Sequence, residues 1–196
     1  FRRVLFRSRG TAREGRVYWP VASLMEGRNL GTIRSHFVPL LLQYMRGTGH
    51  DDAAFAARHG LSPTVSALDP IPSGLFSDVA EAAERELGEP FLGLRLAQAI
   101  PRGSYGVLEF ATRTAPDIRS ALERAVRYQR LVSDRVQITV TVRGDQASLE
   151  QRIGVLPRTA ARHPNEFSVC VLLRRLRGLA DLALAPCEVW LTHPRP

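Results

Sequence analysis

The feature that most restricts the fold of this chain is a change in its hydrophobic period near residue 134. Through residues 116–133, apolar side chains recur every three or four positions, as they do on a helix that buries one face. From Val136 to Ile153, apolar and polar residues alternate instead, with Gly144-Asp145 near the midpoint. Alternation on both sides of such a pair predicts a β-hairpin. A long helix that leads into a hairpin indicates an α+β fold.

Several helices are predicted before this change, from their apolar faces and their end signals. Asp51 can cap a short helix that Gly60 ends, and two more are predicted at about residues 75–87 and 91–99. The first helix of the chain has one apolar face, which consists of Ile33, Phe37, Leu40, Leu41, Tyr44 and Met45.

The remaining elements complete the α+β prediction. The helix of residues 116–133 should begin with a capping box formed by Thr114 and Asp117. A further helix is predicted at about residues 164–178 and a third strand at residues 188–193. We therefore predict N-terminal helices followed by a small antiparallel sheet with a crossing helix.

Most of the net charge of +8 lies in the first 24 residues. They hold six arginines and one glutamate, a net charge of +5, which leaves +3 for the other 172 residues. Residues 1–24 show no helical or strand period and precede Met25, the first methionine. We expect residues 1–24 to be a basic leader, either a disordered arm or sequence foreign to the protein, and residues 25–196 to form one domain. Such a nearly balanced domain gives little reason to expect a nucleic-acid surface.

Residues that could carry catalysis or bind a metal form no recognisable motif. All 27 basic residues are arginine, which excludes a lysine nucleophile, a Schiff-base lysine and a phosphate-loop lysine. The five histidines lack metal-ligand spacing, and His50, His59 and His163 are expected to be solvated turn residues. A metal site built from distant residues stays an alternative. We predict that the protein is not an enzyme and has no catalytic residue, metal or cofactor.

The paired carboxylates and the arginine stripe have ordinary structural explanations. Asp51 and Asp52 suit a helix N-terminus. A solvated helix face is expected for Glu81, Glu84, Glu86 and Glu89. A solvated face is also expected for the arginines of the 116–133 helix, with an anionic ligand as the alternative.

The two cysteines and the absence of long apolar runs bear on the compartment. Cys170 and Cys187 are expected to be free thiols of a reducing compartment, with a disulfide between them as the alternative. No apolar run approaches the roughly 20 residues of a membrane helix, and no signal peptide is recognisable. We expect a soluble, cytoplasmic protein.

Three motifs in the middle of the chain resemble a known family. They are LGLRLA at residues 92–97, YGVLEFA at residues 105–111 and RYQRLVSD at residues 127–134. Upstream, residues 37–60 resemble the family's opening helix followed by the motif RGTGHDDAAFAARHGL, and residues 187–196 resemble its late strand. In this order and spacing they resemble the arabinose-binding-type N-terminal domain of AraC-type transcriptional regulators. The resemblance covers about residues 32–196.

This resemblance implies the effector-sensing part of a bacterial regulator, with a homodimer as a further expectation. Family members continue into a C-terminal helix-turn-helix domain, so the resemblance implies that DNA is bound by a domain absent from this chain. It implies a small-molecule effector without identifying it, because members respond to varied molecules. The alternative is a stand-alone small-molecule or gas sensor of the haem type, and an enzyme is a third hypothesis.

A sensor of this kind needs a mostly apolar cavity with a few polar groups. We expect the junction at Ser104–Phe110, between two helices and beside a glycine turn, to form part of that cavity. Arg95, Tyr105, Glu109 and Arg127 are the candidate ligand-binding residues. The alternative is that Tyr105 and Phe110 are core residues and nothing more.

Overall fold

Helices occupy most of residues 32–131, and the larger sheet takes its strands from both ends of the sequence. The computed structural model describes residues 2–7, 15–17, 32–131, 136–143, 146–153, 162–180 and 188–191. The helices are α1 (Phe37–Gly47), α2 (Asp52–Arg58), α3 (Ser73–Leu87), α4 (Leu92–Ala99), α5 (Gly106–Arg113), α6 (Ile118–Tyr128) and α7 (Arg162–Ala180). The strands are β1 (Arg2–Arg7), β2 (Gly15–Val17), β3 (Thr32–Ile33), β4 (Ile71–Pro72), β5 (Val136–Arg143), β6 (Gln146–Ile153) and β7 (Glu188–Trp190). The predicted α+β class is confirmed.

The N-terminal helices enclose one apolar core. Phe37, Leu41 and Met45 of α1 are fully buried, which confirms the predicted apolar face. Ile33 was assigned to the same helix, and that assignment is wrong. It lies in β3, opposite Ile71 of β4, because the helix begins only at residue 37.

Within the described residues, no helix combines the length and apolar character that a bilayer crossing requires.

Aspartates begin two of the helices. The Asp51 side chain accepts a hydrogen bond from the Ala54 amide at 2.8 Å, which confirms the predicted cap of α2. At α6, Asp117 is itself the capping residue and accepts from the Ser120 amide at 2.7 Å. The predicted capping box with Thr114 is wrong, because α5 extends to Arg113. The Thr114 hydroxyl therefore donates to a carbonyl at the end of α5.

A five-stranded sheet in the order β2-β5-β6-β1-β7 packs against α6 and α7, and its pairs are antiparallel. Strands β5 and β6 form the predicted hairpin, with Val140 opposite Leu149 and both side chains buried. The predicted turn at residues 144–145 lies outside the described residues. A second apolar core forms here, between the hairpin and the two helices.

Two strands of the sheet come from the segment in which we expected none. Strand β1 lies between β6 and β7, and β2 pairs with β5. Strand pairing uses backbone hydrogen bonds, which a segment can make without an alternating side-chain pattern. Whether residues 1–24 are native to the protein stays a prediction.

Helix α7 approaches α4 more closely than side chains ordinarily allow. A β-carbon at Gly93 would overlap the carbonyl oxygen of His163. The expectation that His163 is a solvated turn residue is wrong, since its side chain is only 1% exposed. Its Nδ1 accepts from the Gly93 amide at 3.4 Å and its Nε2 donates to Glu84 Oε2 at 2.7 Å. Glu84, expected on a solvated face, thereby ties α3 to α7.

We expect Gly93→Ala to lower the free energy of unfolding by about 1–3 kcal/mol, the usual cost of overpacking. The added methyl group meets backbone atoms of α7, which cannot rotate away. Urea denaturation measures the change. The matched control is Gly47→Ala, where nothing lies within 4 Å and stability should be unchanged or slightly higher. Equal stability of the two variants would contradict the close approach.

We expect Asp117→Ala to lower the free energy of unfolding by about 1 kcal/mol at pH 7, while Asp117→Asn retains most of the cap. Hydrogen bonding by the Ser120 amide lowers the pKa of Asp117 in the folded protein. Its contribution is therefore present above the unfolded pKa of about 4 and is lost as the pH falls through the lower folded value. Denaturation between pH 2 and 7 should therefore show that the stability difference between the native chain and Asp117→Asn becomes smaller as the pH falls.

Candidate ligand-binding site

A cavity of about 170 Å³ lies where the two cores meet, among α5, α6, α7 and the β5–β6 hairpin. Its polar lining includes Glu109, Gln151, Ser168 and Arg175. Most of its wall is apolar and is formed by Ile33, Phe76, Leu108, Ala125, Ile138, Pro164, Phe167, Val171 and Leu172. An apolar hollow with a few polar groups is the usual composition of a small-molecule site.

One face of α7 forms a whole wall of this cavity. The residues concerned recur every three or four positions, which places them on one side of a helix. They are Pro164, Phe167, Ser168, Val171, Leu172 and Arg175. The same helix contributes Phe167 and Val171 to the first core, and Val169 and Leu176 to the second. A ligand in the cavity would therefore touch the element that joins the two cores.

A buried ion pair stands at one end of the cavity. Glu109 Oε1 lies 3.2 Å from Arg175 Nη1, and the two side chains are 5% and 21% exposed. Arg175 also donates from Nη2 to the Pro101 carbonyl at 2.6 Å. Glu109 Oε2 and Arg175 Nε are buried without a hydrogen-bond partner among the described residues. An unpaired buried polar atom costs about 1–3 kcal/mol, so a ligand that pairs with these atoms would be stabilised.

A second polar group lies further along α7. Gln151, at 2% exposure on β6, accepts from the Ser168 hydroxyl through its amide oxygen at 3.0 Å. Its amide nitrogen is buried and has no partner among the described residues. Ser168 and Arg175 are two helical turns apart, which is about 10 Å along the axis of α7.

Two neutral rings stand beside the ion pair. The ring of Tyr105 meets that of His36 edge to face, with the centroids 4.8 Å apart. Burial raises the pKa of the Tyr105 phenol far above its usual value, so the phenol keeps its proton at neutral pH. Burial also lowers the pKa of His36, which keeps that imidazole uncharged. Neither ring adds charge to the site.

Positive charge gathers on the other side of the ion pair. A smaller hollow of about 80 Å³ shares Glu109 and Arg175 with the cavity. Its wall also includes the arginines Arg102, Arg113 and Arg174. Arg174 donates to the Ala97 carbonyl, so it helps to hold the end of α4 against α7. These three arginines do not line the larger cavity.

The structure brings together two of the four candidate residues named from the sequence. Tyr105 and Glu109 line the cavity. Arg95 instead pairs with Glu89 at 3.2 Å on the outer side of α4, and Arg127 is exposed on α6. Neither of these arginines is among the cavity residues. Ligand binding by any of the four stays a prediction.

The alternative that Phe110 is a core residue is wrong, because its side chain is 67% exposed. Tyr105 does pack against the first core. Arg175, Gln151 and Ser168 were not among the candidates. The sequence could have pointed to Ser168 and Arg175, because their helical spacing places them on the same face of the helix as Val171 and Leu172. Nothing in the sequence places Gln151 beside them, because that contact joins a strand to a helix.

The model of one protein family matches the chain over residues 49–196, which is more than half of its length. Its description is the N-terminal arabinose-binding domain of AraC transcription regulators. The chain belongs to this family. A comparison with curated proteins finds no significant match. As in its family, the chain is a ligand-sensing domain of a transcription regulator, and the match confirms the resemblance found in the sequence.

We expect Glu109→Ala to lower the free energy of unfolding of this sensing domain by about 3 kcal/mol, because it leaves Arg175 buried and unpaired. The double variant Glu109→Leu with Arg175→Met should recover most of that loss, since it removes both charges. Urea denaturation compares them. Glu123→Ala on the exposed side of α6 is the control and should change stability by less than about 0.5 kcal/mol. A loss in Glu109→Ala no larger than in this control would contradict the role of the pair.

Proposed function

We propose that the cavity between the two cores is the effector site of this AraC-type sensing domain. The observation that carries the proposal is a mostly apolar hollow in whose lining Glu109, Arg175 and Gln151 each keep one buried polar atom without a partner among the described residues. Protein interiors seldom leave such atoms unpaired. A bound small molecule would pair with them while its apolar part fills the rest of the hollow.

The position of the cavity supports a sensing role in particular. Its wall includes Phe167 and Val171, which belong to the first core, and Ile138, which packs against the second. A ligand can shift a conformational equilibrium only by its different affinity for the two states. A molecule held where two cores meet contacts both, so its affinity depends on how they pack together.

The regulator that we propose acts in the bacterial cytoplasm. Its DNA contact is made through a helix-turn-helix domain, as the family resemblance implies. The sensing domain that we propose comprises residues 25–196 together with strands β1 and β2, which pair with its hairpin, and a homodimer is part of the proposal. Light scattering on the purified chain tests the dimer. Catalysis has no part in this proposal, because the family is one of transcription regulators.

The alternative of a haem-type gas sensor is less well supported by the cavity. Drug-sized ligands occupy pockets of about 300–1,000 Å³, and a porphyrin is no smaller than such ligands. A hollow of about 170 Å³ suits a much smaller molecule. The size of the cavity therefore favours a small organic effector over haem.

We expect Leu108→Trp, which places an indole in the cavity wall, to abolish stabilisation by any effector that occupies it. A ligand present at about 100 times its Kd stabilises the native state by about 2.7 kcal/mol, which a thermal shift detects. The control is Val107→Trp at the neighbouring position, where the side chain is 69% exposed and is not part of the cavity. A compound that stabilises all three proteins equally binds elsewhere, and that result would refute the effector site.

A further inference from the structure

The smaller hollow beside the ion pair has a strongly positive lining. Among its described lining residues are four arginines and one acidic residue, Glu109, a net charge of +3. The arginines are Arg102, Arg113, Arg174 and Arg175. Arginine stays charged in proteins. Because Glu109 lies 3.2 Å from Arg175, it pairs with that arginine and leaves the other three without an opposite charge in the lining.

The four arginines come from three segments of the chain. Arg113 stands in the last turn of α5, Arg102 follows the end of α4, and Arg174 and Arg175 lie on α7. Nη2 of Arg102 reaches across to α7, where it lies 3.5 Å from the position that a β-carbon on Gly178 would take. Only tertiary packing brings these side chains to one hollow, so they are not simply the solvated face of one helix.

Two of the arginines are held in place, and two keep their donors. Arg174 and Arg175 donate to backbone carbonyls at the end of α4. Arg102 and Arg113 are exposed and make no hydrogen bond or ion pair within the part of the chain that the structure describes. Thr112, the other polar side chain of the lining, donates to carbonyls of its own helix. Like charges repel each other, and an anion in the hollow would relieve that repulsion.

Size and charge together indicate which anion fits. A volume of about 80 Å³ admits one small group, since a single water already needs roughly 10–15 Å³. A phosphate group carries a charge of about −1.5 to −2 at neutral pH, and its oxygens point in several directions. A carboxylate carries one charge, and its two oxygens lie in one plane. Three unpaired positive charges on three segments therefore favour a phosphate over a carboxylate.

We propose that this hollow is a phosphate-binding site, distinct from the effector cavity. The phosphate oxygens accept from Arg102 and Arg113 and from the remaining donors of Arg174. Because Arg102 and Arg113 are exposed, a phosphate monoester can bind with its organic part in solvent. The proposal does not depend on the effector site, since these three arginines are outside the lining of that cavity.

Isothermal titration of the whole chain tests the proposal, at constant ionic strength and about pH 7.5, where phosphate is mostly a dianion. The probes are inorganic phosphate, glycerol 3-phosphate and acetate. We expect the phosphates to bind with a Kd of about 1 mM or lower, and acetate at least about tenfold more weakly. Tighter binding of inorganic phosphate assigns the site to the free ion. Tighter binding of glycerol 3-phosphate assigns it to the phosphate group of a larger molecule.

Variants of the two exposed arginines test which residues bind the phosphate. Arg102→Gln and Arg113→Gln should each weaken phosphate binding by about tenfold, and the double variant should give no measurable heat. The matched control is Arg130→Gln, which removes the same charge from an exposed position outside the hollow and should leave the affinity unchanged. Circular dichroism checks that each variant is folded.

Several results would overturn the proposal. Acetate that binds as tightly as phosphate, or no binding by either phosphate, excludes this ligand class. Equal weakening in Arg113→Gln and Arg130→Gln would show that phosphate responds to overall charge and not to the hollow. Loss of phosphate binding in Leu108→Trp would place the ion in the effector cavity, because Leu108 lines that cavity and not the hollow. A DNA duplex that binds through the same arginines, while both phosphates do not, would assign them to a nucleic-acid backbone instead.

Discussion

The close approach of α4 and α7 at Gly93 and His163 is the constraint on which the rest of the structure depends. It joins two segments some 70 residues apart in the sequence. The His163 ring strengthens it, because its Nδ1 accepts a hydrogen bond from the Gly93 amide. That ring is held by Glu84 of α3. Arg162, the first residue of α7, also donates from Nη1 to Glu84 Oε1 at 3.4 Å and from Nη2 to the Pro90 carbonyl. Because α7 is held at this end, its cavity-lining face is set in position for the two turns that follow.

From that starting point, α7 serves three structural purposes in succession. Its first turn is tied to α3 and α4 through His163. Its middle, from Phe167 to Leu172, forms a wall of the cavity and supplies apolar side chains to both cores. Near its C-terminal end, Arg174 and Arg175 donate to the Ala97 and Pro101 carbonyls, where α4 stops. A change in the cavity would therefore act on a helix that is restrained at both ends.

The ion pair of Glu109 and Arg175 gives one part of the cavity lining two charged side chains that face each other at 3.2 Å. Replacing a buried pair by apolar residues is often neutral for stability, so stability alone gives little reason for it. Its unpaired atoms are a further cost that folding does not recover. The cost of burying the pair and the cost of its unpaired atoms both have an explanation if the pair binds a ligand. The arginines of the adjoining hollow, which shares Glu109 and Arg175 with the cavity, are not part of the cavity lining.

Local patterns predicted the elements well, because each depends on residues close together in the chain. The change in hydrophobic period predicted the hairpin. Asp51 predicted the start of α2, where its side chain accepts the capping hydrogen bond. Errors arose where two local signals compete. Thr114 matches a capping box for α6, but its hydroxyl instead donates to a carbonyl at the end of α5. Ile33 matches the helical face of α1, but it lies in β3 and pairs with Ile71. Such choices are decided by what the neighbouring element requires.

By itself, the sequence determined the fold class, the order of the helices, the hairpin and the family, since period, caps and motif order are properties of short segments. Tertiary structure decided the site. Tyr105 and Glu109 could be named in advance because they lie in a glycine-bounded junction, but their partner Arg175 lies 66 residues beyond Glu109. Gln151 reaches the same cavity only because the sheet packs on α7, which places it beside Ser168. Contacts across such distances depend on the packing of whole elements, which no local pattern records.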